Sequence, residues 1–193
     1  MIMKSKHQTL ADILQSESGE ADLYRRLGEF ICRYAELETA CHVMFDYFSG
    51  LRREIARSIM GGARLVDLIS ALTKVIEVGT LSEPQKAEFR VCVDHLNVLT
   101  QLRHKLIHRG ATAKREDITS TNLLTAKSRE TVEVLRLHIS DLEHANSDLL
   151  RLHLRLVLLM SPDVRQKFDA DFLQRLFKPW EYKPVRPQRL AKA

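Results

Sequence analysis

The chain has 193 residues, enough for one well-buried domain, and no break in composition divides it in two. With 45% hydrophobic residues, 6% aromatics and seven glycines it fits a helical globule and argues against a β fold. The formal charge of +5 points toward nucleic acid, but residues 178–193 hold five Lys/Arg against one Glu, so the tail carries four of those five charges. No run of eighteen apolar residues is present, and Met1-Ile2-Met3-Lys4-Ser5-Lys6 leads into polar sequence. That pattern gives neither a membrane span nor a secretory leader, and predicts a soluble, cytoplasmic protein with no membrane contact.

In chain order, residues 8–17 form a short predicted helix followed by a hinge at Ser16-Glu17-Ser18-Gly19. Residues 1–19 are accordingly an N-terminal extension to a domain spanning 20–177. The first main helix runs from about Glu20 to Ser49, with Leu23, Leu27, Phe30, Tyr34, Leu37, Cys41, Met44, Phe45 and Phe48 on one face. A second segment, Leu51 to Val78, carries Ile55, Ile59, Val66, Ile69, Leu72 and Ile76 in helical register. Gly61-Gly62 interrupts it at about 1 kcal/mol per glycine, which marks a break or a kink rather than a phosphate loop.

The third helix opens at Ser82-Glu83-Pro84-Gln85, a Ser cap with Gln three residues on and Pro in the first turn, and stops at Gly110. The polar stretch Ala111–Lys127 is long for a bundle loop. A hairpin around Ile118–Leu124 and a substrate-contacting loop both suit it. Val132, Leu135, Ile139, Leu142, Leu149, Leu156 and Met160 then predict a fourth helix over Ser128–Met160, although residues 150–158 also alternate like a strand. Ser161-Pro162-Asp163 caps a short fifth helix to about Phe177, and the Pro-rich, basic residues 178–193 form an extended or disordered tail.

Counting roughly 100° per residue, Phe89, Cys92, Leu96, Leu99, Leu102 and Leu106 share one side of the third helix, and Arg103 falls inside that stripe. An unpaired guanidinium there is costly, so either the helix faces a solvated cleft or a partner neutralises the charge. Four residues separate Arg103 from His108. An Arg followed after four to six residues by His, at the end of the third helix of an all-α domain, marks the HEPN superfamily. With polar His104 directly after the Arg, small Gly110 beyond His108, and Glu38 on an upstream helix, the chain resembles a HEPN domain over roughly residues 20–160.

That resemblance implies an all-α, HEPN-like bundle of four to five helices, with a polar loop after the third main helix and a flexible C-terminal tail. It implies a metal-independent endoribonuclease with RNA as its partner, acting as a homodimer whose two motifs face a shared cleft. The implied setting is bacterial toxin, stress response or phage defence, with an antitoxin or other regulatory partner. The alternative is a HEPN-like module without catalysis that binds a nucleotide, RNA or protein.

The chemistry suits the residues. Metal-free RNA cleavage needs a base for the 2′-hydroxyl, an acid for the leaving 5′-oxygen and positive charge on the phosphorane oxygens. His108 is the candidate base or acid, and Arg103 the phosphate ligand. Residues five apart on one helix point roughly 140° away from each other, so the last turn would have to unwind near Gly110 for the two to converge.

Glu38, on the flank of the first helix's apolar face, is the expected carboxylate partner of Arg103, the alternative being a Glu at a solvated edge. Lys105 and Arg109 are candidate phosphate contacts, or simply cations favoured at a helix C-terminus. His104 and His108 are spaced as a metal pair, but no Glu follows the first and no third ligand has a telling spacing. No metal and no cofactor is therefore implied. His153 and Asn146 fall in core register as interior polar groups, His138 and His144 at the surface. Cys41 and Cys92 fit small buried hydrophobes, and Cys32 has no CxxC partner. Trp180, among basic and proline residues, fits docking on the domain or a partner better than base stacking.

Overall fold

The computed structural model describes residues 10–114, 116–128 and 131–189, with backbone alone at residues 10–19 and 189. The spine is α1 (Leu10–Ser49), a single unbroken helix of 40 residues. The hinge expected at Ser16–Gly19 is absent. The reason is that the segment contains no proline, and Gly19 alone costs only about 1 kcal/mol in a helix interior. The first nine residues of the expected N-terminal extension lie outside the described residues.

The second segment splits, as Gly61-Gly62 predicts, into α2 (Arg53–Met60) and α3 (Leu65–Val78). α4 (Glu83–His108) starts at the expected cap, where the Gln85 side chain accepts from the Ser82 N–H at 3.0 Å and from its hydroxyl at 2.8 Å. Phe30, Tyr34, Leu37, Cys41 and Met44 on one face of α1 meet Leu68, Leu72 and Ile76 of α3 in a single core shared with α4. Cys41 and Cys92 are buried, and burial pushes the Cys41 thiol up to about 12 and Cys92 higher still, so neither is a nucleophile. Cys32 is exposed.

Helix α4 ends on Gly110, whose φ of +73° turns the chain into a sheet. Alanine there has room for its methyl group but not the backbone freedom. Gly110→Ala is expected to cost about 1 to 2 kcal/mol in a urea melt, and an unchanged midpoint would contradict the left-handed turn.

The all-α expectation holds in part: the described residues are mostly helical, and a small sheet is added to them. β1 (Ala111–Lys114), β2 (Asp117–Thr121), β3 (Glu133–His138) and the two-residue β4 (Gln188–Arg189) form an antiparallel sheet in that order. The hairpin lies earlier than Ile118–Leu124, with Lys114 opposite Asp117, and Ile118 pairs across to Leu137.

The expected fourth helix therefore begins late, as α5 (Ile139–Met160). Val132, Leu135 and Ile139 satisfy a helical period while Leu135, Leu137 and Ile139 satisfy a strand period. Local pattern alone does not break that tie. The free edge of β2 breaks it, and Leu135 and Leu137 point inward while Arg136 and His138 point out. His138 then ends the strand and caps α5, its N–H bonded to Asp141 Oδ2 at 2.8 Å.

The expected fifth helix is two pieces, α6 (Pro162–Arg165) and α7 (Ala170–Leu176), because Asp169 starts a new helix by accepting the Phe172 N–H at 2.6 Å. The tail beyond it is extended, as expected, and residues 178–182 are docked on the domain. Asp148 on α5, 0% exposed, takes four hydrogen bonds. Oδ1 accepts from Arg151 at 3.1 Å and the Glu181 N–H at 3.0 Å, and Oδ2 from the Tyr182 N–H at 2.8 Å with His95 Nε2 at 2.9 Å. Arg151 also donates to the carbonyls of Leu176, Lys178 and Pro179. Trp180 lies flat on His95 with ring centroids 4.3 Å apart, beneath the Arg155 guanidinium at 4.2 Å. Trp180 thus docks on its own domain.

Candidate functional site

The motif occupies the last two turns of α4, where apolar Leu99, Leu102 and Leu106 fix one face in the core and leave the neighbouring residues at its margin. Arg103 is half-buried, its guanidinium carbon 5.0 Å from the centroid of the Tyr34 ring on α1. Among the described residues no carboxylate forms an ion pair with it. The ring face offsets part of the cost of a cation inside an apolar stripe, and the guanidinium N–H groups remain without anionic partners.

Tyr34 is itself fixed. Its hydroxyl lies 2.7 Å from Thr100 Oγ1, and Thr100 donates its own proton to the Leu96 carbonyl at 2.8 Å, so the phenol is the donor. Burial raises its pKa above the ordinary value. The Thr100 bond and the nearby Arg103 oppose this, and Glu38 adds to it. The result is a neutral platform, hydrogen-bonded to α4, one α1 turn from Glu38. Glu38 is half-buried and near the same ring, but it makes no ion pair with Arg103. The pairing expected from sequence is replaced by the aromatic face. The angular count placed Glu38 correctly on the flank of α1, but it did not reveal that Tyr34 lies under the guanidinium.

His104 and His108 are both exposed, with ring centroids 4.8 Å apart on the outer face of α4. The helix continues through His108, and Arg109 still has helical φ and ψ of −100° and −10°. The last turn does not unwind, because Gly110 supplies the left-handed residue one position too late to redirect His108. Within one chain Arg103 and His108 therefore diverge by roughly 140°. The fold brings Arg103 together with Tyr34 and Glu38, and His104 with His108, without joining the two groups.

The flanking basic residues separate. Lys105 is half-buried and makes no ion pair among the described residues, while its carbonyl accepts the Ser120 hydroxyl at 2.8 Å and ties α4 to β2. Arg109 is bound to Glu133 Oε2 at 2.9 Å with its side chain only 18% exposed, bracing the helix end against β3. As a phosphate contact Arg109 is thus already engaged. Among the described residues no group of three metal-ligating side chains comes together.

Sequence reasoning missed the buried set of His95, Asp148, Arg151 and Arg155. Asp148, Arg151 and Arg155 recur at three and four residues within the most leucine-rich helix, a signal that charges were being placed in the core. The His95 to Asp148 pair has the look of a base and its orienting carboxylate, but Trp180 seals it and its bonds hold the tail. Asn146 is buried and donates to the Arg26 carbonyl at 3.2 Å, as expected of an interior polar group. His138 and His144 are exposed, as expected, and His153 is half-buried.

The candidate site is therefore a half-buried cation on an aromatic platform beside a pair of exposed imidazoles. The chain matches no protein-family model, no curated protein and no solved structure.

Proposed function

We propose that the protein is a metal-independent endoribonuclease of HEPN type, acting as a homodimer on RNA. The observation that carries this reading is Arg103, which is half-buried over Tyr34 with no carboxylate partner among the described residues. A permanent cation kept at the margin of the core with its N–H fork unengaged suits a phosphodiester arriving from outside. His108 supplies proton transfer, His104 supports it at one turn's distance, and Lys105 adds positive charge. Tyr34 holds Arg103 in place by its ring, and Glu38 supports the site from the flank of α1.

The divergence of Arg103 from His108 makes the second subunit part of the mechanism. Two motifs facing each other across a two-fold axis bring the Arg of one protomer opposite the His of its partner, which a single straight helix does not do. The cellular role would be RNA restriction in toxin, stress or phage-defence physiology, under an antitoxin or other regulator.

The test is cleavage of RNA by purified protein in EDTA. Wild type is expected to cut, and an Arg103→Ala, His108→Ala double variant to be inactive. Equal activity of the two proteins would refute the assignment. The same divergence favours, as a second reading, a HEPN-like module that binds RNA, nucleotide or protein without turnover. Tight RNA binding by wild type with no cleavage, lost in Arg103→Ala, would select it.

A further inference from the structure

Gly61-Gly62 has no part in the proposed cleavage, yet it closes one end of an open cleft of about 290 Å³ between α1 and α2. His42 and Asp46, one turn apart on α1, form one wall, and Arg53 and Arg57, one turn apart on α2, form the other. The turn is tightly constrained. A Cβ at Gly61 would lie 2.3 Å from the Arg57 carbonyl oxygen, and Gly62 has a φ of +79°. Gly61 and Ala63 donate their N–H groups to Arg57 and Met60. Among the described residues the Gly62 N–H between them has no acceptor, which leaves a main-chain donor in the cleft wall.

The charges point to one kind of ligand. Arg57 has no ion pair among the described residues, and Arg53 makes only a long one, at 3.8 Å from Asp46, with no hydrogen bond between them. Two arginines, a histidine and a peptide N–H that has no acceptor among the described residues thus line one cleft. A carboxylate anion has no proton left to offer Asp46, whereas a phosphate can be an anion and a proton donor at once. Asp46 adds the discriminating feature. An acceptor carboxylate repels a fully deprotonated anion but receives a hydrogen bond from one that still carries a proton.

From this we infer that the α1 to α2 cleft is a binding site for a protonated phosphate group. Arg53, Arg57 and the Gly62 N–H hold its oxygens, and Asp46 accepts its proton. The cleft has room for more than the bare ion, so the phosphate comes either as free inorganic phosphate or as the end of a phosphomonoester. The site lies apart from the Arg103 motif, and nothing in this assignment depends on RNA cleavage.

Calorimetric titration of the full chain at slightly acidic pH with inorganic phosphate, adenosine 5′-monophosphate and sulfate tests it. Phosphate or the monophosphate is expected to bind at least about tenfold more tightly than sulfate. An Arg53→Gln, Arg57→Gln variant should lose binding and Asp46→Asn should lose the preference over sulfate, with thermal melts confirming that both remain folded. The tighter of the two phosphate ligands identifies the source. No binding of either at about 10 mM, equal binding of sulfate, or unchanged binding in the double arginine variant would overturn the assignment. Arg103→Ala serves as the second control. Binding that persists there, and is lost only with Arg53 and Arg57, places the phosphate in the α1 to α2 cleft, and complete loss of binding in Arg103→Ala would move the site to the motif.

Discussion

Mixing Arg103→Ala protomers with His108→Ala protomers should restore RNA cleavage to about a quarter of the wild-type rate, although each variant alone is nearly inactive. Removing one well-aimed donor to a developing oxyanion costs about 10² to 10³ in rate, and removing a proton-transfer group about 10² to 10⁴. Both losses are expected in the separate homodimers. In a mixture, half of the dimers pair an intact Arg103 with an intact His108 across the axis, at one of two sites. Helix α4 makes this a sharp test, because it runs unbroken through His108 and holds the two side chains apart within a chain. No recovery on mixing, with both homodimers folded and freely exchanging subunits, would sink the composite site.

The second large effect is on stability. Asp148→Ala should destabilise the protein by about 3 to 5 kcal/mol, the range for removing one partner of a buried ion pair. That corresponds to a fall of roughly 10 °C in Tm for a domain of this size. All four acceptor positions of the carboxylate are used, two of them by tail N–H groups, so the loss also frees residues 179–182. Trp180 is the only tryptophan, and its emission should shift to the red as it leaves His95 and Arg155. An unshifted spectrum with an unchanged Tm would contradict the clamp.

Acid should produce the same release. Burial pushes the Asp148 carboxyl up, but hydrogen bonds from His95 and from the Glu181 and Tyr182 backbone outweigh it, so its folded pKa lies below the ordinary 3.8. A depressed folded pKa means that the stabilisation is complete above the unfolded value and is lost as pH falls through the folded one. The Trp180 signal should therefore change below pH 3.8. Asp148→Asn, which has no carboxyl to protonate there, should show no such step.

Much of the architecture was legible because it rests on local chemistry. The Ser82 and Gln85 cap, Gly61-Gly62 and Gly110 each fix a boundary through backbone geometry that depends on few neighbours. The failures have the opposite character. Residues 133–138 carry a pattern compatible with helix and strand, and only the edge of β2 decides between them. Residues 178–189 look disordered by composition, because a Pro-rich basic segment offers little apolar surface. It is held by the carboxylate and guanidinium of α5, which lie in another part of the sequence. At the site, the angular count put Arg103 at the margin of the core and Glu38 on the flank of α1. It could not show that Tyr34 lies under the guanidinium, or that Glu133 already engages Arg109.

The sequence by itself determined the helical character of the chain, both ends of α4, where α1, α3 and α5 stop, and which side of α4 enters the core, since these follow from hydrophobic period, caps and glycines within a few residues. Only the tertiary structure decided which charges are engaged and which remain open. Asp148, Arg109 and Arg151 find partners 24 to 53 residues away, Tyr34 reaches Arg103 from another helix, and the α1 to α2 cleft exists only once both walls are in place. A charge buried at a helix crossing is set by what packs against it, and that neighbour is written elsewhere in the chain.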